Sequence, residues 1–423
     1  IVCGTGDLLH AVKPSYGLGV DIATEMINEA KKKYQKLHFK VADGQNLTLN
    51  EKFDYIILSD VIGNFEDVQK AFSELHKVSD EKTKIIITTY SFLWEPVLNL
   101  AEKFGFKMSQ PSQNWLTVKD IENLLFLSNF EVIKKGTLLL LPIYIPFISS
   151  FVNTYIARLP LIKHLCLVEY FVIRQLLNIY NNKEYSVSVV IPARNEQGNI
   201  EAAILRTPKL GSSTEIIFVE GNSKDDSLNE IKRVIKKYKD RDIKLIEQGK
   251  GTGKGDAVRK GFTKASGDIL MILDADLTTP PENLPKFYSA LRSGQTEFVM
   301  GSRLVYPMEK EAMRILNIFG NKFFSLAFSF LLDQQIKDTL CGTKVLFKKD
   351  YEEIAKNRSY FGDFDPFGDF DLIFGASKLN LKITEIPIRY KARTYGSTNI
   401  SRFKHGLILL GMTLFAAKKL KFV

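Results

Sequence analysis

The run Ile269-Leu270-Met271-Ile272-Leu273, followed by Asp274-Ala275-Asp276, constrains this chain more than any other stretch. Five apolar residues in a row, entered from Ser266-Gly267-Asp268, predict a strand buried on both faces. Side chains of a strand alternate, so residues two apart share a face. Both carboxylates can therefore meet one hard divalent cation at the strand's carboxyl end, where open α/β sheets place their ligands. Thr278-Thr279-Pro280-Pro281 then predicts a capped, proline-led helix start. A solvated acidic turn is the plain alternative, and the flanking strand and helix weigh against it.

A chain of 423 residues is too long for one ordinary core, so two domains are expected. The hydrophobic share of 45% and charged share of 25% are those of a globular protein, not a disordered one. A formal charge of +10 suits a phosphate-rich partner and equally suits an enzyme without one. No basic-aromatic run on a nucleic-acid scaffold is visible, which argues against that partner. Cys3, Cys166 and Cys341 lie far apart without a pairing pattern, as in a reducing cytoplasm. Ile1 falls inside a glycine-rich motif, so residues are expected upstream of it.

Strand and helix patterns alternate throughout, predicting parallel α/β sheets in both halves, with a seam near Asn178–Glu184. The first half opens on Cys3-Gly4-Thr5-Gly6-Asp7, whose glycines permit a tight strand-to-helix turn and close backbone approach to a ligand. Gly17–Asp21 is a strand ending in an acid suited to a ribose diol, and a helix is expected from Thr24 to Tyr34. Phe39-Lys40-Val41-Ala42-Asp43 and Phe53–Val61 supply two further strands. This ordered series resembles the class I S-adenosylmethionine-dependent methyltransferases, up to about Ile173. The resemblance implies Gly4 and Gly6 against the cofactor, Asp21 on its ribose and Asp43 at its adenine edge. It also makes Lys84–Thr89, Glu131–Leu141 and Leu165–Ile173 the last three strands. A dinucleotide dehydrogenase would want a third glycine where Leu9 stands. A non-catalytic binding or scaffolding half is the other alternative, and no residue declares a methyl acceptor.

In the second half, Ser188–Ile191 runs into Pro192-Ala193-Arg194-Asn195-Glu196, a buried strand broken by proline into a polar turn before a helix near Asn199. Glu215–Val219 ends likewise in Glu220-Gly221-Asn222-Ser223. Gln248–Asp256 is rich in glycine and lysine, so its amides and Lys254 could cradle phosphate, although the spacing is not that of a Walker loop. With Asp274-Ala275-Asp276, these motifs resemble family-2 glycosyltransferases of the GT-A fold, closest to the dolichyl-phosphate mannosyltransferase type, from about Tyr185 onward. Gly301-Ser302-Arg303, Asp338–Lys344, Asp371-Leu372, Glu385–Ile388 and Arg393 with Gly396-Ser397 extend the match.

By that resemblance, Pro192, Ala193, Asn195 and Glu196 hold the nucleotide, with Glu220 against its base or ribose and Lys254 at its phosphates. Asp274 and Asp276 take magnesium or manganese, and Arg303 and Arg393 neutralise phosphate. Two departures stand out. Gly221 replaces a second consecutive acid, and Thr278 stands where a metal-binding glutamine often does.

Negative charge grows on the diphosphate as the sugar leaves, and a divalent cation plus arginines would stabilise it. A lipid phosphate acceptor is already anionic and needs no base. A hydroxyl acceptor needs one, and Asp338 or Asp371 is the candidate. The stretch Phe361–Phe370, phenylalanines beside acids, reads as an acceptor-side loop more than core.

Three stretches bear on membranes. Gly136–Ala157 carries no charge, but prolines and polar residues interrupt it, predicting a strand to about Leu141, a loop and a helix. The phenylalanine-rich Ile315–Leu332 is by its spacing a core helix, and the glycosyltransferase resemblance implies instead a helix resting on the membrane. The apolar Gly406–Ala417, which runs into Lys418-Lys419-Leu420-Lys421, suits an interfacial helix with basic anchors or an ordinary amphipathic closing helix. The expectation is thus a methyltransferase-like domain over 1–180 and a glycosyltransferase domain over 185–423. Its inverting, metal-dependent second half would move a sugar from a nucleotide-sugar to polyprenyl phosphate at the cytoplasmic face of the cell membrane. Transfer to a saccharide hydroxyl in surface-polysaccharide synthesis is the alternative, and a nucleotidyltransferase is a third class.

Overall fold

The computed structural model describes residues 1–106, 114–176, 183–251, 253–303, 315–360, 368–393, 395–396 and 402–422, without the side chains of 315–319, 359 and 402–405. The chain divides into two compact units, Ile1–Leu177 and Asn178–Val423.

The first unit carries β1 (Leu18–Asp21), β2 (His38–Val41), β3 (Tyr55–Ser59), β4 (Lys84–Tyr90), β5 (Phe130–Leu138) and β6 (Val168–Gln175). Its helices are α1 (Asp7–Ala11), α2 (Thr24–Lys33), α3 (Val68–Glu74), α4 (Glu95–Lys103), α5 (Val118–Leu127) and α6 (Ile148–Thr154). β1 and β2 pair in parallel, while β3-β4-β6-β5 form a second sheet in which β6 runs antiparallel to both neighbours. The backbone N of Ile1 donates to Ile57 O (2.9 Å) and Cys3 N to Val20 O (2.9 Å), so these residues bridge the two sheets. β5 stops at Leu138, three residues before the expected Leu141, because Leu139 adopts a positive φ and turns the chain.

The second unit carries β7 (Val187–Ala193), β8 (Thr214–Glu220), β9 (Asp242–Glu247), β10 (Ile269–Ile272), β11 (Phe298–Ser302), β12 (Lys344–Phe347) and β13 (Ile383–Pro387). Around them lie α7 (Ile200–Arg206), α8 (Ser227–Lys237), α9 (Gly253–Lys264), α10 (Leu284–Arg292), α11 (Ile315–Leu332), α12 (Lys348–Lys356), α13 (Asp369–Lys378) and α14 (Arg402–Ala416). They form one seven-stranded sheet, β13-β11-β12-β10-β7-β8-β9, parallel except for β12. One antiparallel strand is thus inserted beside the Asp-Ala-Asp strand of a mixed α/β sheet.

The alternation argued for Ile269–Leu273 is visible in its packing. Leu270 and Ile272 enter the core under α11, α13 and α14, whereas Ile269, Met271 and Leu273 enter the core under α7, α8 and α10. Both faces are therefore covered, as in a central strand of a mostly parallel sheet.

Further expectations change. The sheets are not parallel throughout, since β6 in the first unit and β12 in the second run antiparallel to their neighbours. Neither Thr278 nor Thr279 caps a helix; a 3₁₀ turn over Pro281–Asn283 starts after Pro280 and leads into α10. Thr278 instead gives its N–H (3.1 Å) and hydroxyl (2.8 Å) to the Asp276 carboxylate. The Lys421 anchor of the C-terminal end is not free: its amine pairs with Asp333 at 2.5 Å. Among the described residues, no helix is long and apolar enough to cross a membrane.

Candidate active site

The carboxyl ends of β7, β8 and β10 supply the predicted nucleotide and metal residues. Pro192 and Ala193 end β7, in register with Val219 and Glu220 of β8. Asn195 adopts φ 57°, a conformation asparagine tolerates better than most residues, and its side-chain oxygen accepts Lys224 N–H at 2.7 Å. The buried Glu220 carboxylate accepts Ser223 N–H at 2.6 Å, so it shapes its own loop. A side chain at Gly221 would press on the Gln248 amide, which accounts locally for glycine where a second acid was expected.

Asp274 and Asp276 sit just past β10, each held by a cation. Lys254 Nζ lies 2.6 Å from Asp274 Oδ1, with both side chains about 27% exposed. Burial works against the Lys254 charge, but Asp274, Asp369 and Asp276 outweigh it and keep the amine protonated. Burial likewise opposes ionisation of Asp274, and Lys254 still holds its carboxyl below the ordinary range. Arg393 bridges two predicted ligands, donating to Glu196 Oε1 and to Asp276 Oδ2, both at 2.7 Å. Burial outweighs that arginine at Glu196 and pushes its carboxyl up.

Deeper pairs frame these. Arg303 grips Asp338 through Nε (2.7 Å), NH2 (2.8 Å) and its backbone N–H (2.9 Å), and lies over the Tyr390 ring. Asn321 donates to Asp338 as well, at 2.7 Å. Burial opposes the Asp338 charge, yet Arg303 and Asn321 hold the carboxyl below its usual range. Lys344, fully buried, donates to Asp369 at 2.7 Å and to Cys341 O at 2.6 Å. Asp371 accepts from Arg358 at 2.9 Å.

Some partners were not foreseen. Lys344 and Asp369 lie in stretches the sequence singled out, but their pairing joins positions 25 apart, and Arg358 and Tyr390 carry no local sequence signal. Gly342 had one: it lies in the Asp338–Lys344 motif, and a side chain there would run into the Asp274 carboxylate and the Lys254 amine. Phe370 departs from the acceptor-loop expectation; it is buried in the core, 4.5 Å from the Phe328 ring. Positions 361–367 and Ser397 lie outside the described residues.

In the first unit, Asp21 joins the glycine turn to β1. Its carboxylate accepts Gly4 N–H at 2.8 Å and Ala23 N–H at 2.9 Å. Gly4 and Gly6 both have positive φ, and a side chain at Gly6 would strike the Phe39 ring. Asp43 accepts Gln45 N–H at 2.9 Å. Asp60 lies just past β3, inside the Phe53–Val61 stretch. Burial raises its carboxyl despite a 2.8 Å hydrogen bond from Thr88.

Residues 188–355 match the family described as Glycosyl transferase family 2, and residues 1–87 match one described as Methyltransferase domain. The chain fuses these two domains. The glycosyltransferase match spans β7 to α12, including Asp274, Asp276, Arg303 and Asp338. A dolichol-phosphate mannosyltransferase of Pyrococcus furiosus is 30% identical over 218 residues, 51% of this chain and 59% of that protein. An undecaprenyl-phosphate 4-deoxy-4-formamido-L-arabinose transferase of Yersinia pestis is 34% identical over 138 residues, 31% of this chain and 42% of that protein. The chain thus spans about half the length of these curated relatives. Among solved structures, glucosyl-3-phosphoglycerate synthase from Mycobacterium tuberculosis superposes with TM-score 0.40 at 17% identity, over 56% of this chain and 80% of that one.

Among the described residues, no group of three or more His, Cys, Asp or Glu forms a ready-made metal cage. Asp274 and Asp276 nevertheless fit magnesium or manganese, which are commonly held by one or two carboxylates completed by substrate phosphates and water.

Proposed function

We propose that the glycosyltransferase domain moves a sugar from a nucleoside-diphosphate sugar to polyprenyl phosphate, with Asp274 and Asp276 holding a divalent cation. The observation that carries this reading is the pairing of those two carboxylates with Lys254 and Arg393, at a partly solvent-exposed edge of the sheet. A cation there would neutralise charge on the diphosphate as a Lewis acid. Lys254 and Arg393 would then turn from the aspartates toward phosphate oxygens, which a flexible ammonium and a planar guanidinium both accommodate. Glu196, freed from Arg393, and Asn195 line the nucleotide side.

The acceptor follows from which carboxylates are engaged. Asp338 is fully buried and committed to Arg303 and Asn321, while Asp371 is tied to Arg358. A carboxylate held anionic by a guanidinium is a poor proton acceptor. An anionic phosphate acceptor needs no such group, and a sugar hydroxyl does. Asp338 is accordingly proposed to fix Arg303 in place. The relatives named for dolichol-phosphate and undecaprenyl-phosphate support the same acceptor class.

Exposed Phe323 and Leu326 on α11, with Leu407 and Leu414 on α14, present apolar side chains outward while Phe328 and Met412 pack inward. This supports a lipid-bearing acceptor and a place at a membrane surface, which we propose is the cytoplasmic face. The first unit is proposed to bind S-adenosylmethionine through Gly4, Gly6, Asp21 and Asp43, the carboxylate of Asp21 retaining acceptor capacity beyond its two backbone donors. That cofactor would supply an electrophilic methyl group; calorimetry showing no heat with it would favour a scaffolding role for the unit.

The transfer reading is tested by incubating the chain with radiolabelled nucleotide-sugars, manganese and a polyprenyl phosphate, then extracting into butanol. An acid-labile, butanol-soluble sugar is expected. A water-soluble glycan product would overturn the acceptor, and release of pyrophosphate would overturn sugar transfer.

A further inference from the structure

The segment between β5 and β6 of the first unit is built inside out for water. Two of its polar side chains, Asn153 and Ser149, turn inward to satisfy the backbone. Asn153 accepts Leu141 N–H at 2.8 Å and donates to Leu141 O at 2.9 Å. Ser149 accepts Ile145 N–H and donates to Ile143 O, both at 2.6 Å. Trp94 Nε1 ties the segment's far end down through Leu165 O at 2.9 Å. With these bonds made, the large apolar side chains point out: Phe147 is 91% exposed, Leu161 89%, Tyr144 85% and Ile143 67%, with Ile148, Phe151 and Tyr155 exposed beside them. Phe147 sits at φ 62°, unusual for a bulky residue, so its outward setting is held by the surrounding chain.

Charge points to the occupant. No acid occurs from Val132 to Val168, while Lys134, Lys135, Arg158 and Lys163 lie within that stretch. Lys135 is paired with Glu122, so the charges left beside this aromatic surface within the segment are the part-exposed Arg158 and Lys163; that balance matches the boundary of an anionic bilayer, where rings enter the acyl edge and cationic side chains meet phosphate. The segment cannot span. α6 has 7 residues, about 10 Å at helical rise, against a hydrocarbon core of about 30 Å.

We infer that the 139–165 segment of the first unit is a membrane-docking surface that seats Tyr144, Phe147 and Leu161 in the interface of an anionic lipid bilayer. Every residue it uses lies in the first unit, so it stands whether or not the second unit transfers sugar to a lipid phosphate.

The test is co-sedimentation of the full chain with phosphatidylglycerol/phosphatidylcholine vesicles, beside the double variant Tyr144→Glu/Phe147→Glu. Both sites are exposed, so the variant should melt as the wild type does. Its partition onto vesicles is expected to fall by about tenfold or more. The fluorescence of a Phe147→Trp variant should be quenched by brominated lipid beyond the quenching of Trp94 and Trp115. Transfer to a short, water-soluble acceptor phosphate should be the same in wild type and double variant, which separates this inference from the transfer reading. Equal sedimentation of variant and wild type, a Phe147→Trp variant quenched no more than the wild type, or an oligomer that only the double variant dissolves would each overturn it.

Discussion

Two kinds of ion pair share the second unit, and their contrast explains the site. Arg303–Asp338 and Lys344–Asp369 are buried on both sides, with exposures of 11% or less. Lys254–Asp274 and Arg393–Asp276 are open to solvent by 15% to 27%. Removing one partner of a buried pair strands a charge, so such pairs are fixtures. A partly exposed pair contributes little and exchanges readily. The carboxylates proposed to meet a cation are held in the exchangeable way, and those proposed to shape the wall are held in the permanent way.

The largest expected effect breaks the open pairs and falls on chemistry more than on stability. Asp274→Asn and Asp276→Asn should each lower sugar transfer by about a thousandfold, roughly 4 kcal/mol of transition-state stabilisation. Their unfolding free energy should change by less than that of Asp338→Ala, whose pair is the more deeply buried. Steady-state transfer and urea melts on the same preparations check both halves of that statement.

The mirror experiment is Asp338→Ala. It leaves the Arg303 guanidinium buried without its carboxylate, and should cost about 3–5 kcal/mol of stability, read as a drop in melting temperature. A melting curve like that of Asp274→Asn would erase the distinction between the two classes.

A smaller effect comes from the opposite, amino-terminal edge of the sheet. Burial disfavours the Glu215 charge, but hydrogen bonds from Lys244, Ser188 and Ser266 bring its carboxyl from 4.5 down to about 2. A carboxyl depressed on folding adds stability above its unfolded value and loses it as pH falls toward the folded one. Glu215→Gln should therefore flatten the decline in melting temperature between about pH 4.5 and 2, relative to wild type. The smallest effect is at Arg393→Lys, which keeps charge but cannot bridge Glu196 and Asp276 together. A rise of about tenfold in the donor KM is expected, with a lesser change in kcat.

Much of this frame was legible in the chain. The apolar run before Asp274, the proline-broken turn after Ile191 and the acid at the end of β1 report local periodicity and turn chemistry, which a sequence displays directly. The partners did not show. Arg303 meets Asp338 across 35 positions, and Arg393 meets Asp276 across 117 and Glu196 across 197. Nothing local distinguishes an arginine bound for a carboxylate from one bound for phosphate, so Asp338 read as a base when its oxygens were already engaged. The threonines after Asp276 misled for a related reason: a hydroxyl beside a carboxylate serves the nearer acceptor before it serves a helix end. Outward apolar side chains in 139–165 were equally hidden, since hydropathy reports composition and not direction.

Manganese uptake bears most directly on the aspartate pair. The chain is titrated with Mn²⁺ in the presence of a nucleoside diphosphate, and free metal is followed by electron paramagnetic resonance. The wild type should remove manganese from solution when the nucleotide is present, and the Asp274→Asn/Asp276→Asn double variant should not. Equal uptake by both proteins would contradict the placement of the cation between those two carboxylates.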